Sequence, residues 1–290
     1  MDGVNYEKMN IQWFPGHMTK AQRMIEDSIK QVDAVCEILD ARIPNSSRNP
    51  DIDRLAAGKP RLIILNRTDL ADPKITAQWR EFFEAQGIKI LETDAKSGKG
   101  VSGFAPALSE LLKDKIAGYA AKGQVNRPMR VMILGIPNVG KSTFINKIAK
   151  RKAAIAGDKP GVTRGKQWIT LKNGMEFLDT PGILWPKFDD KEAALRLAYT
   201  GAVKDDILDT EELCAHLCEF LAENYKSKLE ERYKLELPDE YTGFELLESI
   251  CRKRGFIVKG GEADTLRGAS VVLDEFRGGK LGRITLEKAF

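Results

Sequence analysis

The sequence predicts an α/β domain built on a parallel sheet, followed by a domain made only of helices. In residues 1–188, short apolar runs alternate with segments of helical period, which is the pattern of a parallel sheet covered by helices. Residues 189–290 are charged, leucine-containing and helical in period, with breaks near Pro238 and Gly255. We therefore expect two domains, 1–188 and 189–290, which agrees with a length of 290 residues.

The elements of the first domain follow from its hydrophobic periodicity. Apolar runs predict buried strands at 32–39, 61–65, 88–91, 130–134 and 175–178. Amphipathic segments between them predict helices at 19–31, 74–86, 101–121 and 141–150. The segment 123–128, which contains glycine and proline, is predicted to be a linker.

The composition excludes several classes of protein. Apolar residues make up 42% of the chain and charged residues 30%, which excludes a wholly disordered chain. The 4 cysteines are too few for a disulfide scaffold and indicate reduced thiols, so we expect a cytoplasmic protein. No apolar run reaches the ~18 residues of a membrane-spanning helix, and the first ten residues lack the apolar core of a signal peptide. No membrane partner is expected.

The net charge of +4 is unevenly spread. Residues 1–188 hold 30 Lys and Arg against 20 Asp and Glu, a balance of +10. Residues 189–251 hold 7 against 17, a balance of −10, and residues 252–290 hold 9 against 5, a balance of +4. The first and last segments are therefore candidates for contact with a polyanion, and the middle segment is not.

The segment Gly135–Ser142, called the phosphate loop below, matches the pattern G-x-x-x-x-G-K-[ST] between a predicted strand and a predicted helix. Its glycines let backbone N–H groups face a phosphate, and the helix N-terminus adds a partial positive charge. Lys141 is expected to hold the β and γ phosphates, and Ser142 to ligate Mg²⁺. Further nucleotide contacts are expected from Pro137, Asn138, Val139, Gly140 and Thr143. The alternative is a glycine turn before a helix with an exposed lysine.

A second motif, Asp179-Thr180-Pro181-Gly182, follows an apolar strand 38 residues after Lys141. Asp179 can reach Mg²⁺ through a water molecule, and the Gly182 N–H can contact the γ-phosphate. Between the two motifs, Thr163 is the candidate for a loop threonine that ligates Mg²⁺ when the γ-phosphate is present. The alternative for that loop is a plain surface turn at Pro160-Gly161.

Two loops earlier in the chain carry features of base recognition. Asn66-Arg67-Thr68-Asp69 resembles the guanine-specifying pattern N-K-x-D, with arginine in place of lysine. The Asp69 carboxylate can accept hydrogen bonds from guanine N1–H and N2–H₂ together, and adenine offers no such pair, so Asp69 is expected to select GTP over ATP. Asp94-Ala95-Lys96 corresponds to a loop whose alanine N–H contacts guanine O6, with aspartate where serine is usual.

These motifs form a complete set in a rotated order. A Ras-like GTPase has the phosphate loop first, then D-T-P-G, then the two base loops, whereas the base loops come first here. Either the first two motifs are accidents or the domain is circularly permuted, which domains tolerate because their termini often lie close together on the surface. A permutation places the γ-phosphate sensor directly before the helical domain.

The chain resembles the circularly permuted GTPases, and among them the bacterial GTPases of ribosome assembly. The resemblance covers nearly the whole chain after about Met9 and rests on Ile11–Met18, Asp40–Pro44, Gly135–Ser142 and Asp179–Lys187. It implies a permuted Ras-like domain that hydrolyses GTP with Mg²⁺ late in the assembly of the large (50S) ribosomal subunit. It also implies binding to the subunit precursor through ribosomal RNA and ribosomal proteins, stimulation by that particle, and release on hydrolysis. We expect a monomer in the free state.

Two further residues are candidates for catalysis beside Lys141 and Thr163. Ile183 stands where Ras-type enzymes have the glutamine that positions water, so another group must do so. His17 is the hypothesis, to which the resemblance also points, and a histidine that caps the following helix is the alternative. In potassium-activated GTPases that resemble this one, an asparagine of the phosphate loop ligates K⁺. Asn138 is therefore expected to make turnover faster in KCl than in NaCl, unless it is only a turn residue.

A weaker signal is a basic zone near the end of the chain. Its members are Arg252, Lys253, Arg254, Lys280 and Arg283, which can contact an RNA backbone or simply form a solvated face. Two other functions stay open on the sequence alone. One is a GTPase switch that acts on another RNA or protein target, and the other is an RNA-binding module with a vestigial nucleotide site. The intact Lys141, Ser142, Thr163 and Asp179 argue against the second.

Overall fold

The computed structural model describes residues 23, 25–125, 127–152, 167–171, 174–180, 191–203 and 209–289. These residues fall into two compact units. The first unit contains the described residues of 14–187 together with 287–289, and the second contains those of 188–286.

The first unit is built on a six-stranded sheet. Its strands are β1 (Ala34–Asp40), β2 (Arg61–Asn66), β3 (Lys89–Glu92), β4 (Arg130–Leu134), β5 (Gln167–Thr170) and β6 (Glu176–Asp179). The spatial order is β3-β2-β1-β4-β6-β5, and every neighbouring pair is parallel except β5 with β6. When the strands are renumbered with β4, which precedes the phosphate loop, as strand 1, the order read from the β5 edge is 2-3-1-4-5-6. One rotation of the chain thus restores the usual motif order, and the predicted permuted α/β fold is confirmed.

The helices of this unit lie between the strands. They are α1 (Ile52–Leu55), α2 (Pro73–Ala85), α3 (Phe104–Leu111), α4 (Lys113–Ala121) and α5 (Lys141–Lys152), and residues 25–29 are also helical. The helix predicted at 101–121 is divided, because it opens as a 3₁₀ turn at Val101–Gly103 and its backbone bends at Leu112. The short edge strand β5 was not predicted, since four residues are too few to show a clear alternation.

The core explains why the sheet forms at these residues. All seven side chains of β1 are buried, as expected for a central strand covered on both faces. Helix α2 packs Trp79 and Phe83 against Leu39 and Ile63 of the sheet. Its start is fixed by Asp72, whose side chain accepts a hydrogen bond from the Lys74 N–H at 2.8 Å.

The second unit is helical, as the sequence predicts. It contains α6 (Lys191–Tyr199), α7 (Thr210–Tyr233), α8 (Gly243–Arg254) and α9 (Thr265–Arg277). Thr242 and Glu245 form a capping box at the start of α8. The buried Glu275 of α9 accepts hydrogen bonds from Arg232 and Tyr233 of α7 and from Arg254 of α8, which joins three helices. In the described part of the chain, no helix is both long enough and apolar enough to span a membrane.

Candidate functional site

The predicted site residues leave the sheet at one edge. The register pairs Asp40 with Asn66 and Ile133 with Asp179, so the ends of these parallel strands stand side by side. Ligands of open α/β sheets bind outside the carboxyl ends of the strands. The loops that follow β1, β2, β3 and β4, together with Asp179 at the end of β6, therefore surround one candidate site.

The phosphate loop has a backbone that only particular residues can adopt. Gly140 has φ of 92°, and a Cβ atom there would lie 2.4 Å from Nδ2 of Asn66. Asn138 has φ of 61°, a left-handed conformation that asparagine tolerates better than most residues. Glycine at position 140 thus permits both the turn and the close approach of the β2 loop.

Lys141 begins α5 and is almost fully buried, with 6% of its surface exposed. Its Nζ donates a hydrogen bond to Oδ1 of Asp179 at 2.5 Å and another to the carbonyl oxygen of Thr180. Thr180 Oγ1 in turn donates to the Ile133 carbonyl at 2.9 Å. The phosphate loop and the start of D-T-P-G are therefore held together by a buried ion pair.

This arrangement fits a magnesium–phosphate group. Ser142 and Thr143 are exposed at the start of α5, directly beside Lys141. The Ser142 hydroxyl and the Asp179 carboxylate supply the hard oxygen ligands that Mg²⁺ prefers, either directly or through water. A bound phosphate would offer Lys141 another anionic partner. A bound cation would offer the Asp179 carboxylate another positively charged partner.

Asn66 joins the two base loops to the phosphate loop. Its Nδ2 donates to the carbonyl oxygen of Val139 at 2.7 Å. Its Oδ1 accepts from the Ala95 N–H at 2.9 Å and from Thr93 Oγ1 at 3.1 Å. One buried amide side chain therefore fixes the loops after β2, β3 and β4 relative to one another.

Arg67, which replaces the usual lysine, also reaches the phosphate loop. Its φ is 62°, its Nη2 donates to the carbonyl oxygen of Asn138, and its Nε lies 3.7 Å from Oδ2 of Asp40. Burial lowers the pKa of Arg67, and the charge of Asp40 acts in the opposite direction. A guanidinium can serve two acceptors in one plane, which a lysine ammonium cannot do in the same geometry.

Asp40 and Arg42 belong to the site, although the sequence assigned them no role in it. Arg42 is 1% exposed, and its Nε and Nη2 donate to the two Asp40 carboxylate oxygens at 3.0 and 2.7 Å. Burial acts to raise the pKa of Asp40, but the charges of Arg42 and Arg67 and the hydrogen bonds from Arg42 together hold the pKa below its ordinary value. The position of Asp40-Ala41-Arg42 at a strand end was the only sequence signal of this role.

The two aspartates of the base loops have different environments. Asp94 Oδ1 accepts hydrogen bonds from the Lys96 N–H at 2.9 Å and the Ser97 N–H at 3.2 Å, so it shapes its own turn. Desolvation acts to raise the pKa of Asp94. The hydrogen bonds from Ser97 and Lys96, together with the Lys96 charge, hold this pKa below its ordinary value. Desolvation, together with the charge of Asp94, raises the pKa of Asp69. Thr68 Oγ1 donates to the Thr93 carbonyl at 3.1 Å, which ties the two loops together.

The remaining predicted residues fall into two groups. His17, Thr163 and Gly182 are outside the described residues. In the helical unit, Arg252 and Lys253 are exposed in the last turn of α8, and Lys280 and Arg283 are exposed after α9. Arg254 also lies at the end of α8, but its Nη2 is 2.5 Å from Oε1 of the buried Glu275, so its charge is already paired.

Comparison with known proteins relates the sequence to GTPases. The model of the 50S ribosome-binding GTPase family matches residues 130–238. Ribosome biogenesis GTPase A of Bacillus cereus is 47% identical over 280 residues, which is 96% of this chain and 94% of that protein. Ribosome biogenesis GTPase A of Thermotoga maritima is 33% identical over 278 residues, again 96% of this chain and 94% of that protein.

Solved structures show the same likeness. The GDP-bound structure of YlqF from Thermotoga maritima has a TM-score of 0.69 and 30% identity, and the match covers 91% of this chain and 98% of that chain. The GNP-bound structure of YlqF from the same organism has a TM-score of 0.64, with 93% of this chain and 98% of that chain covered.

Proposed function

Since this chain belongs to the ribosome biogenesis GTPase A family of circularly permuted GTPases, we propose that it acts on the large (50S) ribosomal subunit. It is a GTPase with a role in ribosomal subunit assembly. In the proposal, it binds the subunit precursor at a late step through ribosomal RNA, hydrolyses GTP and then leaves. The residues of 1–188 carry the nucleotide site, and those of 189–290 dock on RNA.

One observation carries the assignment of the site. The Asn66 side chain bonds both to Val139 of the phosphate loop and to Ala95 of the second base loop. A loop that binds phosphates and two loops that recognise guanine therefore face one cleft, as a guanine nucleotide requires. Motifs that matched by chance would have no reason to be hydrogen-bonded to each other.

The proposed chemistry follows from the residues at each end of the cleft. Asp69 accepts from guanine N1–H and N2–H₂, the Ala95 N–H donates to O6, and Arg67, Thr68, Asp94 and Lys96 line the base. At the other end, Lys141 leaves Asp179 and holds the β and γ phosphates, and Ser142, Thr163 and Asp179 face the metal. When bound, Mg²⁺ neutralises charge on the phosphate oxygens. The loop with Gly182 contacts the γ-phosphate and senses its loss.

The catalytic water needs a positioning group, and Ile183 cannot supply one. We assign this role to His17 in the particle-bound state, and to Asn138 the binding of an activating K⁺. A positioned histidine contributes ~100-fold or more to such a step. His17→Ala should therefore keep GTP binding and lose most of the stimulated turnover. Unchanged stimulated turnover would remove His17 from the mechanism.

The proposed RNA contacts are the exposed basic residues of the helical unit. Arg252, Lys253, Lys280 and Arg283 are exposed and are the residues proposed to contact phosphates, whereas Arg254 also holds Glu275. The partners are thus ribosomal RNA and adjacent ribosomal proteins of the precursor, in the cytoplasm, and the free protein is a monomer.

The test is GTP hydrolysis in KCl with purified large subunits, with small subunits, and with neither. A large stimulation by the large subunit alone supports the proposal. Stimulation by both particles or by free RNA indicates a different RNA target. GTP binding without stimulation by any of them leaves a GTPase switch whose partner is another molecule.

A further inference from the structure

Residues 287–289 follow the helical unit in sequence but pack into the first unit. Ala289 is buried in the core cluster that contains Leu39, Ala41, Trp79 and Phe83. The carbonyl oxygen of Glu287 accepts a hydrogen bond from Nε1 of Trp79 at 3.1 Å. This segment is therefore part of the α/β fold, and both its backbone and a side chain fix its position.

The Glu287 side chain completes the loop after β1. Its Oε2 accepts from the Asn45 N–H at 2.7 Å, its Oε1 accepts from the Ser46 N–H at 3.0 Å, and it also bonds to Ser46 Oγ. Consecutive amides at the start of a turn have no partner inside the turn, and a carboxylate is the usual group that caps them. Here the cap comes from a residue 242 positions away in the chain.

The capped loop is the one that carries Asp40 and Arg42. The Asp40 N–H donates to Ser47 Oγ at 3.1 Å, and Ser47 Oγ donates to the Ile43 carbonyl at 2.7 Å, so the two ends of the loop are bonded together. Arg42 holds the Asp40 carboxylate, and that carboxylate lies 3.7 Å from Nε of Arg67. A displacement of Asn45 and Ser46 is thus transmitted to Asp40.

The Asp40–Arg67 ion pair joins the capped loop to the first base loop, because Arg67 lies two residues before Asp69. The positive charges of Arg67 and Arg42 both act to lower the pKa of Asp69, against the desolvation and the Asp94 charge that raise it. Asp69 must be ionised and correctly oriented to accept from guanine. Its surroundings therefore depend on the two arginines that the capped loop keeps in place.

We propose that Glu287 is a positioning residue for guanine recognition, which acts by capping the 41–47 loop and so holding Asp40, Arg42 and Arg67 beside Asp69. It touches no part of the nucleotide. The proposal rests on the assignment of Asp69 to guanine made above. It predicts that a change at Glu287 alters the choice of base more than the binding of phosphates.

The experiment uses the full chain and measures the affinities for GDP, IDP and ADP by competition with a fluorescent GDP. IDP lacks the 2-amino group that Asp69 recognises, so the ratio of the two affinities reports the geometry at Asp69. Glu287→Gln keeps the shape but offers one acceptor oxygen in place of two. We expect the preference for GDP over IDP to fall about fivefold in Glu287→Gln and about tenfold in Glu287→Ala, where tenfold corresponds to ~1.4 kcal/mol.

The matched control is Lys288→Ala, because Lys288 is the exposed neighbour of Glu287 and should leave all three affinities unchanged. Circular dichroism will show whether Glu287→Ala folds. If it does not, Trp79→Phe is the second variant, because it removes the hydrogen bond to the Glu287 carbonyl and keeps an aromatic ring at position 79. It should shift the preference for GDP over IDP in the same direction. Equal losses of GDP and IDP affinity, or no loss in Glu287→Gln and Trp79→Phe, would overturn the proposal. If the unaltered protein does not prefer GDP over ADP, the proposed guanine site itself would be overturned instead.

Discussion

The two ends of the nucleotide cleft differ in how their polar groups are held. At the base end, Asn66 and Asp94 are hydrogen-bonded to the backbone of the loops that they organise. At the phosphate end, the buried Lys141 and Asp179 are bonded to each other, so the two groups that we propose to bind the phosphates and Mg²⁺ are each other's partners. In the proposed function, the base end is thus arranged for its ligand in advance, and the phosphate end exchanges partners when the ligand enters.

This difference suggests a division of roles, with base specificity at the base end and the response to phosphates at the phosphate end. A preorganised site loses little free energy to ordering when it binds, so the base end is suited to choosing guanine. A buried ion pair is strongly destabilised when one member leaves and no other charge replaces it. The charges of Lys141 and Asp179 are therefore matched in the empty site by each other, and in the proposed occupied site by the ligand. A pair that exchanges partners in this way suits a loop that responds to the phosphates.

The largest effect should follow from a change at the phosphate end. Lys141→Ala removes charge-assisted bonds to the β and γ phosphates and should weaken the binding of a non-hydrolysable GTP analogue about 1,000-fold, or ~4 kcal/mol. It also leaves Asp179 buried without its lysine partner, which should lower the free energy of unfolding by about 3–5 kcal/mol. Nucleotide titration and chemical denaturation measure the two effects. Lys147→Ala on the same helix is the control, and a Lys141→Ala protein that binds the GTP analogue within tenfold of the original would contradict the exchange of partners.

A change at the base end should alter specificity without altering stability. Asp69→Asn removes an acceptor for two guanine donors and should lower the preference for GDP over ADP about 100-fold, or ~3 kcal/mol. Asp69 is exposed, so the free energy of unfolding should change by less than about 0.5 kcal/mol. Competition binding with both nucleotides gives the ratio. A loss of ADP affinity as large as the loss of GDP affinity would show that the two ends are not separable.

A smaller effect should come from the cation. If Asn138 ligates K⁺, turnover of GTP should be about tenfold faster in KCl than in NaCl, a change of ~1.4 kcal/mol in the barrier. Asn138→Gly is the suitable variant, because glycine accepts the φ of 61° at this position and removes only the side chain. The variant should hydrolyse GTP equally fast in both salts. Equal rates in the unaltered protein would exclude this role for Asn138.

The smallest effect should be a pH dependence confined to the base end. The pKa of Asp69 is raised above its ordinary 3.8, and guanine binds the ionised carboxylate. GDP affinity should therefore fall as the pH is lowered toward that pKa, by about fourfold when the pH is half a unit below it. Binding curves at a series of pH values, with Asp69→Asn for comparison, test this. The Asp69→Asn variant should lack the loss of GDP affinity that comes from protonation of Asp69. An identical pH profile in both proteins would assign the titration to another group.

Much of the site could be predicted because each motif follows a strand. The loops that carry Asp69 and Lys141 follow β2 and β4, and Asp179 ends β6, as the sequence predicts, since apolar runs mark strands and polar residues after them mark the loops. Arg67 was recognised as the replacement for the usual lysine of its motif, and its bond to the Asn138 carbonyl was not foreseen. The short β5 was missed for the opposite reason, because four residues at a sheet edge carry little periodicity.

The sequence by itself determined the class of fold, the rotated order of the motifs and the chemistry of the ligand. These depend on local patterns: apolar periodicity, glycines in a turn, and a lysine, a serine and aspartates at fixed spacing. Only the tertiary structure decided which of these groups hold each other, such as Lys141 with Asp179, Asn66 with Ala95 and Val139, and Glu287 with Ser46. Contacts between residues far apart in the chain are set by how strands pair and pack, and no local periodicity encodes them.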